Sequence, residues 1–122
     1  MVKLLLAGTG LIGHRHMQHI LEHPDLELVG IIDPLITDEK IEGVRTYRSL
    51  NDVNNVAEGI ILATPTETHA DLTIKSLEMG MHVLVEKPVA ASLLEADKMI
   101  SASEKTGLSI LVGHHRRHHP LV

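Results

Sequence analysis

The chain has 122 residues, which suits one ordinary domain and is short for two. It is 43% hydrophobic, but Tyr47 is its only residue of the Phe, Tyr and Trp group, so its core must be aliphatic. The net charge of -5 argues against a general nucleic-acid or anionic-membrane binder, and the absence of cysteine excludes disulfides and a thiolate nucleophile. The longest apolar runs are of strand length, so we expect neither a membrane-spanning helix nor a signal peptide, with the cytoplasm as the default location.

The first predicted strand, Val2–Ala7, runs into a glycine-rich loop and then into a helix that begins at Leu11. The loop has the spacing Gly8-x-Gly10-x-x-Gly13, which in this setting is the fingerprint of a dinucleotide-binding domain. Gly8 permits the tight turn, Gly10 lets the backbone approach a pyrophosphate, and Gly13 lets helix and strand pack closely. Unpaired amides at the start of the helix would face the phosphates.

A second apolar strand is predicted over Leu28–Asp33, and its last residue stands 20 positions beyond Gly13. A carboxylate in that place can accept hydrogen bonds from both hydroxyls of an adenosine ribose. The alternative is that Asp33 caps the turn before Pro34. Because a carboxylate repels a 2′-phosphate and no arginine is adjacent in the sequence, the pattern favours NAD over NADP.

Strands and helices then alternate along the rest of the chain. The further predicted strands are Val44–Tyr47, Gly59–Ala63, His82–Glu86 and Leu108–Val112, with helices over about Glu67–Met79 and Ser92–Gly107 and a short one at about Thr37–Ile41. Such alternation predicts parallel pairing with helices on both faces. We therefore expect an α/β fold, a Rossmann-type doubly wound parallel sheet whose six strands, numbered along the chain, lie in the order 3-2-1-4-5-6.

The long helices carry apolar stripes and clear end signals. The predicted buried positions are Gly13, Met17, Ile20 and Leu21 in the first helix and Ala70, Ile74 and Leu77 in the second. The last helix opens with Ser92 and Glu95, spaced as a capping box that satisfies two amide donors, and closes at Gly107.

Three loops follow strands at their carboxyl ends, where ligands bind in an open parallel sheet. They are Gly8–Gly13, Thr64-Pro65-Thr66 and Glu86-Lys87-Pro88. Lys87 is a candidate catalytic residue, because an ammonium beside a nicotinamide in a partly dry cleft can orient a substrate hydroxyl or help to take its proton. The alternative is a solvated lysine at a strand end. His69 either lines the cleft at the start of its helix or faces solvent.

Histidine is frequent, with ten in the chain, and two groups invite a metal interpretation. His19 and His23 lie one helical turn apart, and four more histidines, His114, His115, His118 and His119, surround Arg116 and Arg117. Spacing without a third fixed ligand is weak, so we predict no native metal site. The two arginines either reach a carboxylate or phosphate or belong to an ordinary exposed terminus.

Four segments, in order, resemble the amino-terminal domain of the glucose–fructose oxidoreductase / inositol 2-dehydrogenase family, known as Gfo/Idh/MocA. They are Gly8–Gly13 with His16 three residues later, Ala63–His69, Glu86-Lys87-Pro88 and Gly113–Arg117, and together they span nearly the whole chain. The chain departs from the family's pattern in a shorter segment after Asp33 and in His118, where an aromatic residue is usual.

The resemblance implies an NAD(P)-dependent oxidoreductase that moves a hydride between the nicotinamide and a secondary hydroxyl of a sugar, cyclitol or polyol. It implies that Glu86 lies beside the nicotinamide ribose and that Lys87 contacts the reacting hydroxyl. The predicted cofactor-binding residues are Gly8, Thr9, Gly10, Leu11, Ile12, Gly13, Asp33, Ala63, Thr64, Pro65, His69, Glu86, Lys87 and Arg116.

In that family a histidine from a second, sheet-forming domain commonly serves as the acid/base. We therefore expect residues 1–122 to be the dinucleotide-binding domain alone, separated from its α+β substrate domain, able to bind NAD but without turnover. The surface left uncovered makes a homo-oligomer plausible. Two other functions stay open: a non-catalytic nucleotide sensor or regulatory module, and a Rossmann-like domain that binds coenzyme A.

Overall fold

A computed structural model describes residues 1–54 and 57–113, in which a seven-stranded sheet carries helices on both faces. The strands are β1 (Val2–Ala7), β2 (Leu26–Ile32), β3 (Lys40–Ile41), β4 (Val44–Tyr47), β5 (Gly59–Leu62), β6 (His82–Glu86) and β7 (Ile110–Gly113). The helices are α1 (Leu11–Glu22), α2 (His69–Glu78) and α3 (Leu93–Thr106), with short 3-10 turns at Leu50–Asp52 and Thr66–Thr68. No helix in this part of the chain is long and apolar enough to cross a membrane.

The strands lie in the order β3-β4-β2-β1-β5-β6-β7, and every neighbouring pair except β3–β4 is parallel. Without β3 this is the predicted order, so the doubly wound topology is confirmed. The order reverses between β1 and β5, whose pairing runs from Leu4 with Gly59 to Ala7 with Leu62. The loops that follow these two strands therefore flank the crevice where a parallel sheet binds its ligand.

Alternate side chains of the central strands fill two separate cores, one on each face of the sheet. On one face, α2 and α3 bury Leu77 and Met99 against the sheet, and on the other α1 buries Met17 and Ile20. The predicted stripes are correct except at Leu21, which is 45% exposed, and at Ile74, which is only half-buried.

The predicted helix at Thr37–Ile41 is wrong, because the segment forms a β-hairpin instead. Lys40 and Ile41 pair antiparallel with Arg45 and Val44, around a two-residue turn. Positive φ angles at both central residues, Glu42 (51°) and Gly43 (79°), are typical of a type I′ hairpin turn. The hairpin packs Ile41 and buried Val44 into the α1-side core, which a helix of this length could not do.

The helix-end signals behave largely as predicted. The Ser92 hydroxyl accepts a hydrogen bond from the Glu95 amide at 3.2 Å, while Glu95 Oε1 accepts one from the Ala91 amide at 3.3 Å instead of from Ser92 itself. Gly107 closes α3 in the left-handed conformation, at φ 74°. The Lys87–Pro88 peptide bond, which follows β6, is cis.

Candidate dinucleotide-binding site

The glycine loop is packed tightly at its two ends and is open in the middle. Gly8 has φ +102°, and a Cβ there would lie 2.2 Å from the carbonyl oxygen of Ala63. A Cβ on Gly13 would lie 2.1 Å from the Gly8 carbonyl oxygen, whereas one on Gly10 would meet nothing within 4 Å. The structure thus has a closed turn whose middle residue leaves room for a ligand beside its backbone.

Asp33 is hydrogen-bonded directly to the glycine loop. Its Oδ2 accepts hydrogen bonds from the Thr9 hydroxyl at 2.7 Å and the Thr9 amide at 3.1 Å, and Oδ1 accepts one from the Leu35 amide at 2.9 Å. Burial raises the pKa of Asp33, but the hydrogen bonds from Leu35 and Thr9 outweigh it, so the net pKa is below its ordinary value of 3.8. Asp33 therefore caps the turn, as the alternative interpretation predicts. Oδ1 retains acceptor capacity beyond that hydrogen bond, and ribose binding stays a prediction.

A cavity of about 470 Å³ lies between the carboxyl ends of β2 and β5. Pro34 and Pro65 are in its wall, together with Leu72 of α2. Arg48 also lines it, and its Nε donates to the Ile36 carbonyl oxygen at 3.3 Å. The cavity is mostly apolar, and Pro34 in its wall follows Asp33 directly in the chain, so it suits the base of a nucleotide.

Sequence reasoning missed Arg48, because it looked for an arginine adjacent to Asp33 along the chain. The structure brings the two close through strand pairing: Ile32 pairs with Tyr47, and the Asp33 amide donates to the Tyr47 carbonyl oxygen at 2.9 Å. The sequence did contain a signal for this proximity, because the second and third predicted strands are neighbours in the predicted order. Residues just beyond the ends of neighbouring parallel strands lie at the same edge of the sheet.

His69 is buried and does not face solvent, so that alternative is wrong. Its ring is 1% exposed, with Nε2 at 2.9 Å from the Thr64 carbonyl oxygen and Nδ1 at 3.0 and 3.1 Å from those of Pro88 and Val89. The imidazole connects the loop after β5 to the loop after β6. Its direct contact with a cofactor stays a prediction.

The end of β6 carries the other predicted site residues. Glu86 is 7% exposed, and its Oε2 lies 2.5 Å from Nε2 of His16, a contact that its motif position alone did not predict. Lys87 follows it and is exposed. Arg116 and the other residues from 114 onwards lie outside the described residues, so the predicted contact of Arg116 stays a prediction.

The first predicted histidine pair lies at the carboxyl end of α1, where His23 is the C-cap residue. His19 is exposed, and His23 Nδ1 accepts a hydrogen bond from the Asp25 amide at 3.1 Å at the helix end. Across residues 1–54 and 57–113, no three His, Asp or Glu side chains come together as metal ligands. The second group of histidines that the sequence offers as metal ligands, His114, His115, His118 and His119, lies outside the described residues.

Residues 2–114 match the GFO_IDH_MocA model, described as an oxidoreductase family with an NAD-binding Rossmann fold. The chain is 32% identical to 4-carboxy-2-hydroxymuconate-6-semialdehyde dehydrogenase of Sphingobium sp., over 98% of this chain and 40% of that protein. It is 31% identical to scyllo-inositol 2-dehydrogenase (NAD(+)) of Bacillus subtilis, over 98% of this chain and 37% of that protein.

Among solved structures, the WlbA dehydrogenase of Bordetella pertussis, in complex with NADH and UDP-GlcNAcA, superimposes with a TM-score of 0.83. It is 30% identical over 92% of this chain and 34% of that one. The chain thus spans about two fifths or less of the length of these relatives.

Proposed function

This chain belongs to the Gfo/Idh/MocA oxidoreductase family, and from that premise we propose that it binds NAD, in preference to NADP, across the carboxyl edge of its sheet. The observation that carries the proposal is the bond between Asp33 and Thr9, because it joins the ribose-binding acid and the phosphate-binding loop into one unit. The family's description as NAD-binding agrees with this arrangement.

The chain's own residues offer a place for each part of the adenosine half of the cofactor. The open backbone at Gly10 and the first amides of α1 face the place where a pyrophosphate would bind. Oδ1 of Asp33 accepts from a ribose hydroxyl, and the cavity beside Pro34 and Pro65 takes the adenine. Leu11, exposed at the start of α1, would be covered by the bound dinucleotide.

The preference for NAD follows from charge. The pKa of Asp33 lies below its ordinary value of 3.8, so the side chain is a carboxylate at neutral pH, and a carboxylate repels the 2′-phosphate that distinguishes NADP. Arg48 opposes this effect, because its guanidinium lines the same cavity. We therefore expect the preference for NADH over NADPH to be modest and to grow when Arg48 is neutralised.

In the longer protein we propose hydride transfer to or from a secondary hydroxyl of a sugar, cyclitol or polyol, as the name of the inositol dehydrogenase suggests. When bound, the nicotinamide supplies or accepts the hydride. Lys87, exposed beside buried Glu86, would orient the reacting hydroxyl. The acid/base and substrate walls would come from a domain outside residues 1–122, and we place the protein in the cytoplasm, with neither nucleic acid nor membrane as a partner.

Calorimetric titration of the chain with NADH, NADPH and coenzyme A tests the cofactor. We expect binding in the order NADH, NADPH, coenzyme A, and about tenfold weaker NADH binding in Asp33→Ala, which corresponds to about 1.4 kcal/mol. The control is Asp38→Ala, which removes an exposed acid from the hairpin region. Tighter binding of coenzyme A than of NADH, or an unchanged affinity in Asp33→Ala, would overturn the proposal.

Measurements of turnover test the enzymatic part of the proposal. Residues 1–122 should give no NADH from a panel of polyols, whereas the longer protein should, and Lys87→Met should lower its kcat by about 100-fold. Lys98→Met, at an exposed lysine of α3, is the control. A natural protein that ends at residue 122 and binds NADH without turnover would instead identify a nucleotide sensor.

A further inference from the structure

Glu86 has one carboxylate oxygen held and the other buried without a partner. The residue is 7% exposed, and Oε2 accepts the 2.5 Å contact from His16 Nε2. Oε1 is buried and has no hydrogen-bond partner in the described part of the chain. A buried oxygen without a partner lowers stability, more so when it is charged, so a native protein retains one for a reason.

One oxygen of Glu86 is held by a side chain from a distant part of the chain. His16 lies on α1, one turn beyond the glycine loop, and reaches across the sheet edge to a residue 70 positions later. The 2.5 Å contact restricts rotation of the carboxylate, and so it also sets the direction of Oε1.

The position of Glu86 separates it from the adenosine half of the crevice. Asp33 follows β2 on one side of the β1–β5 reversal, while Glu86 ends β6 on the other side. The strands β2 and β6 lie three strand spacings apart in the sheet, about 14 Å. A dinucleotide held by Asp33 would therefore present its second ribose, not its first, to Glu86.

We propose that His16 is a positioning residue for Glu86. It holds Oε2 so that Oε1 accepts a hydrogen bond from a hydroxyl of the ligand bound at the end of β6. The identity of that ligand as the nicotinamide half of NADH rests on the proposed function. The hydrogen bond between His16 and Glu86 does not depend on the proposed function.

Paired titrations with NADH and ADP separate positioning from a structural role, because ADP carries the adenosine half without the second ribose. His16→Ala should weaken NADH binding about tenfold and leave ADP binding within twofold of wild type. His16→Gln, whose side-chain amide can donate from about the place of Nε2, should restore NADH affinity to within threefold of wild type. His19→Ala, an exposed histidine on the same helix, is the control and should change neither ligand.

A second measurement tests the bond without any cofactor. In this proposal Oε2 is the acceptor, which requires the proton of this hydrogen bond to be on Nε2 of His16, so the nitrogen-15 resonance of Nε2 should be that of a protonated nitrogen with a far-downfield proton attached. Glu86→Gln should shift that proton upfield, because the charged acceptor is gone.

The outcomes of these experiments are distinguishable. Equal losses of NADH and ADP affinity in His16→Ala, or wild-type NADH affinity in that variant, would overturn the positioning role. A His16 resonance that does not move in Glu86→Gln would overturn the bond. If the wild-type chain binds no NADH, the proposed function fails, and the resonance alone decides this inference.

Discussion

The two ends of the crevice differ in how completely the chain builds them. At the adenosine end, Gly8 is packed onto Ala63, and Asp33 has hydrogen bonds on both carboxylate oxygens. At the β6 end, Glu86 keeps a buried oxygen without a partner in the described residues, and Lys87 is exposed. The first end is held by local contacts, while the second has a buried acceptor without a partner in the described residues and a lysine exposed to solvent.

This difference matches the different tasks of the two ends. Binding is favoured by rigid groups that are already in position, because little entropy is then lost on association. A reacting end must hold groups that are satisfied only when the substrate is present. We therefore expect substitutions at the adenosine end to affect folding and cofactor affinity, and those at the β6 end to affect mainly the nicotinamide half of the ligand.

The strongest test of this comparison is Gly8→Ala. The residue has φ +102°, and an added methyl would lie 2.2 Å from the backbone oxygen of Ala63, which cannot move without displacing β5. We expect the free energy of unfolding to fall by on the order of 3 kcal/mol, measured by urea denaturation. A loss below about 1 kcal/mol would show that the loop is not rigidly packed.

Gly10→Ala gives the next largest effect, on binding instead of stability. An added methyl meets nothing in the free protein, and Gly10 lies in extended backbone that alanine adopts readily. We expect the free energy of unfolding to change by less than about 1 kcal/mol, the effect of replacing glycine at the N-cap of α1. NADH affinity should fall at least tenfold, because the methyl occupies the space for the pyrophosphate. Unchanged NADH affinity would mean that the phosphates bind elsewhere.

The sequence predicts part of this difference between the two ends of the crevice. The fingerprint around Gly8 and the order of the strands depend on local spacing and apolar periodicity, so both were predicted. The contact between His16 and Glu86 joins positions 70 residues apart, and the proximity of Arg48 to the cavity depends on strand pairing. Such long-range contacts require side-chain directions that no local pattern specifies.

The hairpin was missed for a different reason. Asp38, Glu39 and Lys40 favour a helix or a solvated loop, and glutamate is an unusual residue at positive φ. The deciding interaction is tertiary, because Ile41 reaches the core beside α1 only when it is paired with Val44. Tertiary burial of this kind overrides the local propensity of a short segment.

Gly113→Ala tests the β6 end with the same substitution. An added Cβ would lie 3.2 Å from Glu86 Oε2 and 3.3 Å from Leu84 Cδ1, and both are ends of side chains that can shift by a few tenths of an ångström. We expect a loss of about 1 kcal/mol in the free energy of unfolding, smaller than for Gly8→Ala. A cost as large as that of Gly8→Ala would mean that the two ends are equally rigid, contrary to the comparison.

The smallest expected effect is the contribution of Asp33 to the pH dependence of the free energy of unfolding. Its pKa is lower in the folded chain than the ordinary value of 3.8, so its hydrogen bonds to Leu35 and Thr9 stabilise the fold above that value. This contribution is lost as the pH falls through the folded pKa. Asp33→Asn should therefore lose less stability than wild type between pH 5 and pH 2.5, by less than about 1 kcal/mol because solvent screens a partly exposed carboxylate.

Urea unfolding at the two pH values gives this difference, with Asp38→Asn as the matched control at an exposed acid. Other carboxylates also titrate in this range, but they are common to both proteins, so the difference between variant and wild type isolates Asp33. Equal acid sensitivity in wild type and Asp33→Asn would show that the carboxylate is not held by the loop when the site is empty. The adenosine end would then be completed by the cofactor, just as we propose for Glu86 at the β6 end.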